Sequence, residues 1–188
     1  AEVVRNQAAQ AAAAVRQASS SSGGGLNGTY HVGGVTLKIG GFIEAAGIYR
    51  TGTETGDVAT GLNTAVPFTH STAAHLSEFR ESARQSRLSF LATGSPDRVT
   101  DLTAYWEMDF LGMSSTANSN QSNSYNLRQR QLFAEYDRKD LGFSVVGGQA
   151  WSLATLETSG LYPRNEAVPL TIDANYNVGF NWLRVPQM

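Results

Sequence analysis

A chain of 188 residues is long enough to bury one core of ordinary size, and a charged fraction of 16% with a mean hydropathy of -0.25 makes it polar without being highly charged. The absence of cysteine excludes disulfides and thiolate metal or redox centres, and a net charge of -2 excludes the broad basic footprint of a nucleic-acid binder. No apolar run approaches the roughly 18 residues of a spanning helix. No basic region followed by an apolar one opens the chain, so any export signal is expected to have been removed.

Residues 2–19 are predicted to be helical, because Ala-rich sequence has the highest intrinsic helix propensity and neither Gly nor Pro interrupts it. Val4, Ala8, Ala11, Val15 and Ala18 alternate in spacings of four and three, a heptad seam that makes 1–19 a short Ala-rich coiled-coil helix. A solvated helix or a low-complexity tail is the plainer reading. The Ser/Gly run of 20–28 is a flexible linker by composition, and 29–188 is β-rich.

Residues 35–50 alternate, with Phe42 and Ile48 as exceptions. Val35, Leu37, Ile39, Gly41, Ile43, Ala45 and Tyr49 share one face; Thr36, Lys38, Gly40, Glu44 and Arg50 share the other. Globular strands average about 5–6 residues, whereas a membrane-crossing strand needs about 9–11. Residues 51–83 form a long polar connection with a helical turn or two around 73–82. A second strand covers 84–93, the Pro-Asp pair of 95–98 makes a tight turn, and 101–111 is a third strand. Its alternation is the sharpest in the chain: Leu102, Ala104, Trp106, Met108 and Phe110 against Asp101, Thr103, Tyr105, Glu107 and Asp109. After the polar stretch 112–125, residues 126–151 read as a hairpin about Arg138, Lys139 and Asp140. Arg128 and Arg130 share one of its faces, with Leu127, Phe133, Phe143 and Val145 opposite, and Gly147 and Gly148 mark a bulge or close backbone approach. Residues 152–178 form a third long loop, and a sixth strand begins within 180–188. Long and short connections thus alternate, as the external loops and periplasmic turns of outer-membrane barrels do. A soluble sandwich is the competing architecture.

The segments TLKIGGFIEAAGIYRT, FRESARQSRLSF, LTAYWEMDFLG, SNSYNLRQRQLFAEY, GGQAWSL and RNEAVPLTIDANYNVGFNWLRVPQ together resemble, in this order, the N-terminal half of bacterial outer-membrane porins of the DcaP-like type. The resemblance runs from about residue 29 onward, and residues 1–19 are similar to the short coiled-coil segment that such porins often carry. It implies an all-β transmembrane antiparallel β-barrel of sixteen strands, usually a homotrimer, in the outer membrane of a Gram-negative bacterium. Small, often anionic, hydrophilic solutes diffuse through such a barrel. Five or six strands are legible here and Met188 is no aromatic-tipped ending, so the chain is expected to be part of a barrel that closes with further strands or other chains.

On this reading the pore is lined by Lys38, Glu44, Arg84, Arg87, Tyr105, Glu107, Asp109, Arg128 and Arg130. The arginines either form a basic ladder that favours anions, or pair with Glu107 and Asp109 on the neighbouring strand. The resemblance implies that the third long loop folds inward, which makes Arg164, Glu166, Asp173 and Asn175 candidates for constriction contacts. Catalysis has little to rest on. Glu107 and Asp109 lack a nucleophile, His70 and His75 match no metal-ligand spacing, and GGVTLKIGG lacks the Lys-Ser/Thr of a phosphate loop. No catalytic residue, metal or cofactor is expected. The second reading is a soluble β-rich surface or binding module, oligomerised by the N-terminal helix and soluble without detergent.

Overall fold

The structure, a computed structural model, describes residues 28–54, 68–112, 125–152, 154–155, 158, 164–167 and 183–188. The predicted coiled-coil helix of 1–19 and most of the linker lie outside these residues. Strands account for 62% of what is described. In chain order they are β1 (Thr29–Val32), β2 (Val35–Phe42), β3 (Ala46–Arg50), β4 (Glu78–Ser82), β5 (Arg87–Gly94), β6 (Thr100–Gly112), β7 (Asn126–Arg138), β8 (Phe143–Trp151) and β9 (Arg184–Gln187). Seven of them form one sheet in the order β1-β2-β5-β6-β7-β8-β9, every neighbour antiparallel, and β3 and β4 pair as a separate two-stranded ribbon. The sheet is open, with β1 and β9 at its edges; it is not closed into a barrel.

The connections β1–β2, β5–β6 and β7–β8 are short and, the sheet being antiparallel, fall at one end; the long ones fall at the other. Asp97 explains the tightness of the β5–β6 turn. Its Oδ1 accepts the backbone N–H groups of Val99 and Thr100 at 2.9 and 2.8 Å, and its Oδ2 accepts the Thr100 hydroxyl at 3.0 Å, an Asx arrangement that sets the turn locally. At the β7–β8 turn Gly142 takes the left-handed conformation (φ 57°) that a side chain disfavours.

Partners across a ladder share a face, so the register sorts the side chains. One face carries Val35, Leu37, Ile39, Leu88, Phe90, Leu102, Trp106, Leu132, Tyr136 and Val145. The other carries Thr36, Lys38, Arg87, Ser89, Thr103, Glu107, Asp109, Arg128 and Glu135. The apolar face is the open one: Trp106 is 43% exposed and Leu127 58%, whereas Asp109, on the polar face, is 1% exposed. A small apolar cluster sits among the polar residues, where Tyr105, Phe133 and Ala150 pack with Leu91 and Val146.

Four expectations are corrected. Residues 35–50 are two strands rather than one, because the Ser86 hydroxyl takes the backbone N–H of Glu44 (3.0 Å) and donates to its carbonyl (3.3 Å), in place of a ladder partner. Residues 78–82, read as connection or helical turn, form β4, since Arg80 and Phe79 find register partners in Ile48 and Tyr49; a 3-10 turn survives at Thr72–His75. The strand read as 84–93 begins at Arg87, and β1 went unread. Phe133 lies on the polar face, for a reason that belongs to the site.

Candidate functional site

The site is built where β6 and β7 lie side by side. Glu107 pairs with Gln131, but the next partner of Met108 is Gln129, so Arg130 is an extra residue on β7. This β-bulge shifts the alternation by one. Arg128 and Arg130 point to the polar face before it, and Gln131 and Phe133 point to the same face after it; Arg130 and Gln131, at 8% and 4% exposure, are both buried beside Glu107.

Arg130 is the centre of an ion-pair network. Its Nε donates to Glu107 Oε1 at 2.6 Å and its Nη1 to Asp109 Oδ2 at 2.9 Å. Arg128 holds Asp109 in a bidentate grip, from Nε at 2.9 Å and Nη2 at 2.5 Å. The Tyr105 hydroxyl donates to Glu107 Oε2 at 3.0 Å. Arg87 stands in register with Asp109, its Nη1 3.9 Å from Glu107 Oε2 and its guanidinium 5.2 Å from the Phe42 ring. Each carboxylate therefore has several donors, the condition under which charge tolerates burial. Of the two arrangements read from the sequence, Arg128 and Arg130 adopt pairing at hydrogen-bond distance, while Arg87 pairs with Glu107 only at 3.9 Å.

The remaining candidates are more scattered. Lys38 lies exposed on the polar face of β2, opposite Leu91. Glu44, at the bend after β2, accepts a hydrogen bond from Gln85 Nε2 at 3.0 Å. Arg84 is buried in the segment before β5, where its Nε donates to the Phe110 carbonyl at 3.4 Å and its guanidinium lies 4.1 Å over Tyr125. From the third long connection, Arg164 does reach the network: its guanidinium stacks 4.8 Å over the Tyr105 ring, and its backbone N–H donates to Glu166 Oε1 at 3.0 Å. Arg164 has φ 75°, a left-handed backbone that costs a non-glycine residue of order 1 kcal/mol. Asp173 and Asn175 lie outside the described residues.

Between these groups is a polar cavity of about 290 Å³, lined by Arg87, Tyr105, Glu107 and Arg130 from the sheet, by Gln131 and Trp151, and by Arg164 and Glu166 from the connection. Arg184 of β9 stacks 5.0 Å over Trp151. Sequence alternation missed Gln131, Trp151 and Arg184. One signal was present: without a bulge, Gln129 and Gln131 would both interrupt the apolar face between Leu127 and Phe133. Among the described residues no group of three or more His, Asp or Glu is placed to hold a metal, and no helix is long and apolar enough to cross a membrane.

Among the described residues the fold and the site together define an antiparallel β-sheet protein with one open apolar face and one polar, ion-paired face that Arg164 and Glu166 approach. No family model, curated protein or solved structure matches the chain.

Proposed function

We propose that this chain forms part of the wall of an outer-membrane β-barrel channel, a pore for passive diffusion of small hydrophilic solutes along its polar face. One observation carries the reading: the sheet is inverted, its apolar face open and its charged face buried. In water each Å² of exposed apolar surface costs about 25 cal/mol, and soluble monomers rarely leave a contiguous apolar patch above a few hundred Å². A bilayer removes that cost. β6 and β7, at 13 residues each, exceed the roughly 9–11 residues that a tilted crossing requires. The placement of short turns at one end and long connections at the other agrees with such barrels.

Arg87, Arg130 and Arg164 meet Glu107 and Glu166 around the cavity, with Arg128 paired to Asp109 and Arg184 stacked on Trp151 nearby, an excess of cations that favours anions in transit. Arg164, stacked over Tyr105, and Glu166, which accepts from the Arg164 backbone N–H, narrow the path. No cofactor takes part. The edges of β1 and β9 need strand partners in lipid, so closure against further copies of this chain belongs to the proposal, as does a trimer organised by the predicted helical seam. The test is to refold the 188-residue chain into detergent, compare boiled and unboiled samples on a gel, and record planar-bilayer currents. A shifted unboiled band with discrete conducting steps is expected. A monodisperse species that needs no detergent and conducts nothing would overturn the channel in favour of the soluble surface module.

A further inference from the structure

The open face of the sheet is shaped as well as apolar. Ala92, Ala104, Ala134 and Gly147 stand in register across β5, β6, β7 and β8, and they floor a recess of about 510 Å³ walled on one side by Leu102, Tyr136 and Val145. Two residues along the strands on the other side, roughly 7 Å from that floor, Phe90, Trp106 and Leu132 stand in register as a ridge. The Phe90 and Trp106 rings lie 5.8 Å apart, so the ridge is continuous from β5 to β6. A ridge beside a recess makes the face complementary to itself. Turned over about an axis that runs across the strands between the two rows, one face sets its ridge into the recess of the other and receives the other's ridge in return, the isologous contact of a two-fold dimer.

We infer that in water two copies of this chain cover this face against each other, with Trp106 of each copy seated over Ala104 of the other and Leu132 over Ala134. Eight large side chains of the face, Trp106 and Leu132 among them, are 38–46% exposed. At about 150–250 Å² for a whole side chain they offer roughly 500–800 Å² before the recess is counted, against about 800 Å² per partner in a standard interface. A single copy in water would leave that area as one contiguous patch, larger than soluble monomers ordinarily carry. The two sheets would stack about 10 Å apart, a spacing that interdigitating side chains of this size fill. This goes beyond the channel reading, since it concerns the chain in water; a bilayer takes the same face and competes with the second copy for it.

The test is the molar mass of the refolded full chain in detergent-free buffer, by light scattering and sedimentation. A species of twice 20.1 kDa is expected. Trp106→Ala removes the largest side chain of the ridge and is expected to raise the dimer dissociation constant about thirty-fold, the loss of one interface hot spot. Ala104→Trp fills the recess and is expected to abolish the dimer. A single-copy or open-ended species in the parent would overturn the inference. So would a dimer that both variants leave unchanged, since its contact would lie on another surface, such as the predicted helical seam of 1–19. If Ala104→Trp loses its fold, checked by circular dichroism in detergent, Trp106→Ala decides. A dimer in water together with bilayer currents supports both readings. A dimer without currents refutes the channel and leaves the contact standing, whereas currents from a chain that is never dimeric in water do the reverse.

Discussion

Arg130 serves two carboxylates from a position that the strand pattern does not provide for, and the consequences are energetic. Its side chain is 9% exposed and Asp109's is 1%, so solvent cannot replace what it supplies. Arg130→Ala leaves Glu107 and Asp109 short of a donor and is expected to destabilise the fold by about 3–5 kcal/mol, read as a shift of the urea midpoint in detergent. Arg128→Ala is expected to cost less, because its side chain is 36% exposed and Arg130 continues to hold Asp109. If the two variants were equally damaging, Arg130 would not be the hub. Of these residues, the identities and shared face of Arg128 and Arg130 were legible in the sequence. Gln131 and Phe133 were not, since parity counting assigns them to the apolar face and only a bulge returns them.

At the scale of elements, two neighbouring glycines make a matched test. Gly148 has φ 134°, and an added Cβ would collide with the backbone of Leu132 and Phe133; Gly147 has open space around it. Gly148→Ala is expected to cost about 1–3 kcal/mol through backbone strain, and Gly147→Ala to be close to neutral or slightly stabilising. Parallel urea titrations check this, and similar losses at both positions would contradict the register of β7 with β8. The β5–β6 turn carries a pH dependence. The backbone N–H of Val99, with further bonds from Thr100, holds the Asp97 carboxyl below its ordinary value of 3.8. A depressed carboxyl stabilises the fold above its unfolded value and loses that contribution as pH falls through the folded one. The midpoint difference between parent and Asp97→Ala is therefore expected in full at neutral pH, should shrink as pH falls below 3.8 and should vanish once the depressed carboxyl is itself protonated. A difference that persisted in acid would assign the turn's stability elsewhere. This turn was legible from Pro96-Asp97, because its bonds are local in sequence. The break at 43–45 was not, because Ser86, whose hydroxyl causes it, lies forty-two residues from Glu44.

For the whole molecule, the inverted sheet has a direct consequence. Leu132, opposite Trp106 in register, is 45% exposed on the apolar face. In a soluble protein a charge placed there would change stability by no more than about 0.5 kcal/mol. In a bilayer an arginine on the lipid face costs about 2–4 kcal/mol near the midplane. Leu132→Arg is therefore expected to lower the unfolding midpoint in lipid vesicles by an amount in the second range, and a neutral outcome would speak against burial of this face in lipid.

Alternation along 101–111 and 126–138 by itself determined that this part of the chain is β, that one face is apolar and the other charged, and that short and long connections take turns. Those properties follow from a two-residue period and local turn chemistry, which any short window of sequence contains. Tertiary structure decided which residues actually meet: the bulge at Arg130, the β3–β4 ribbon, and the approach of Arg164 to Tyr105. Each depends on groups distant in sequence competing for the same hydrogen bonds or the same charge, and alternation does not encode which competitor wins.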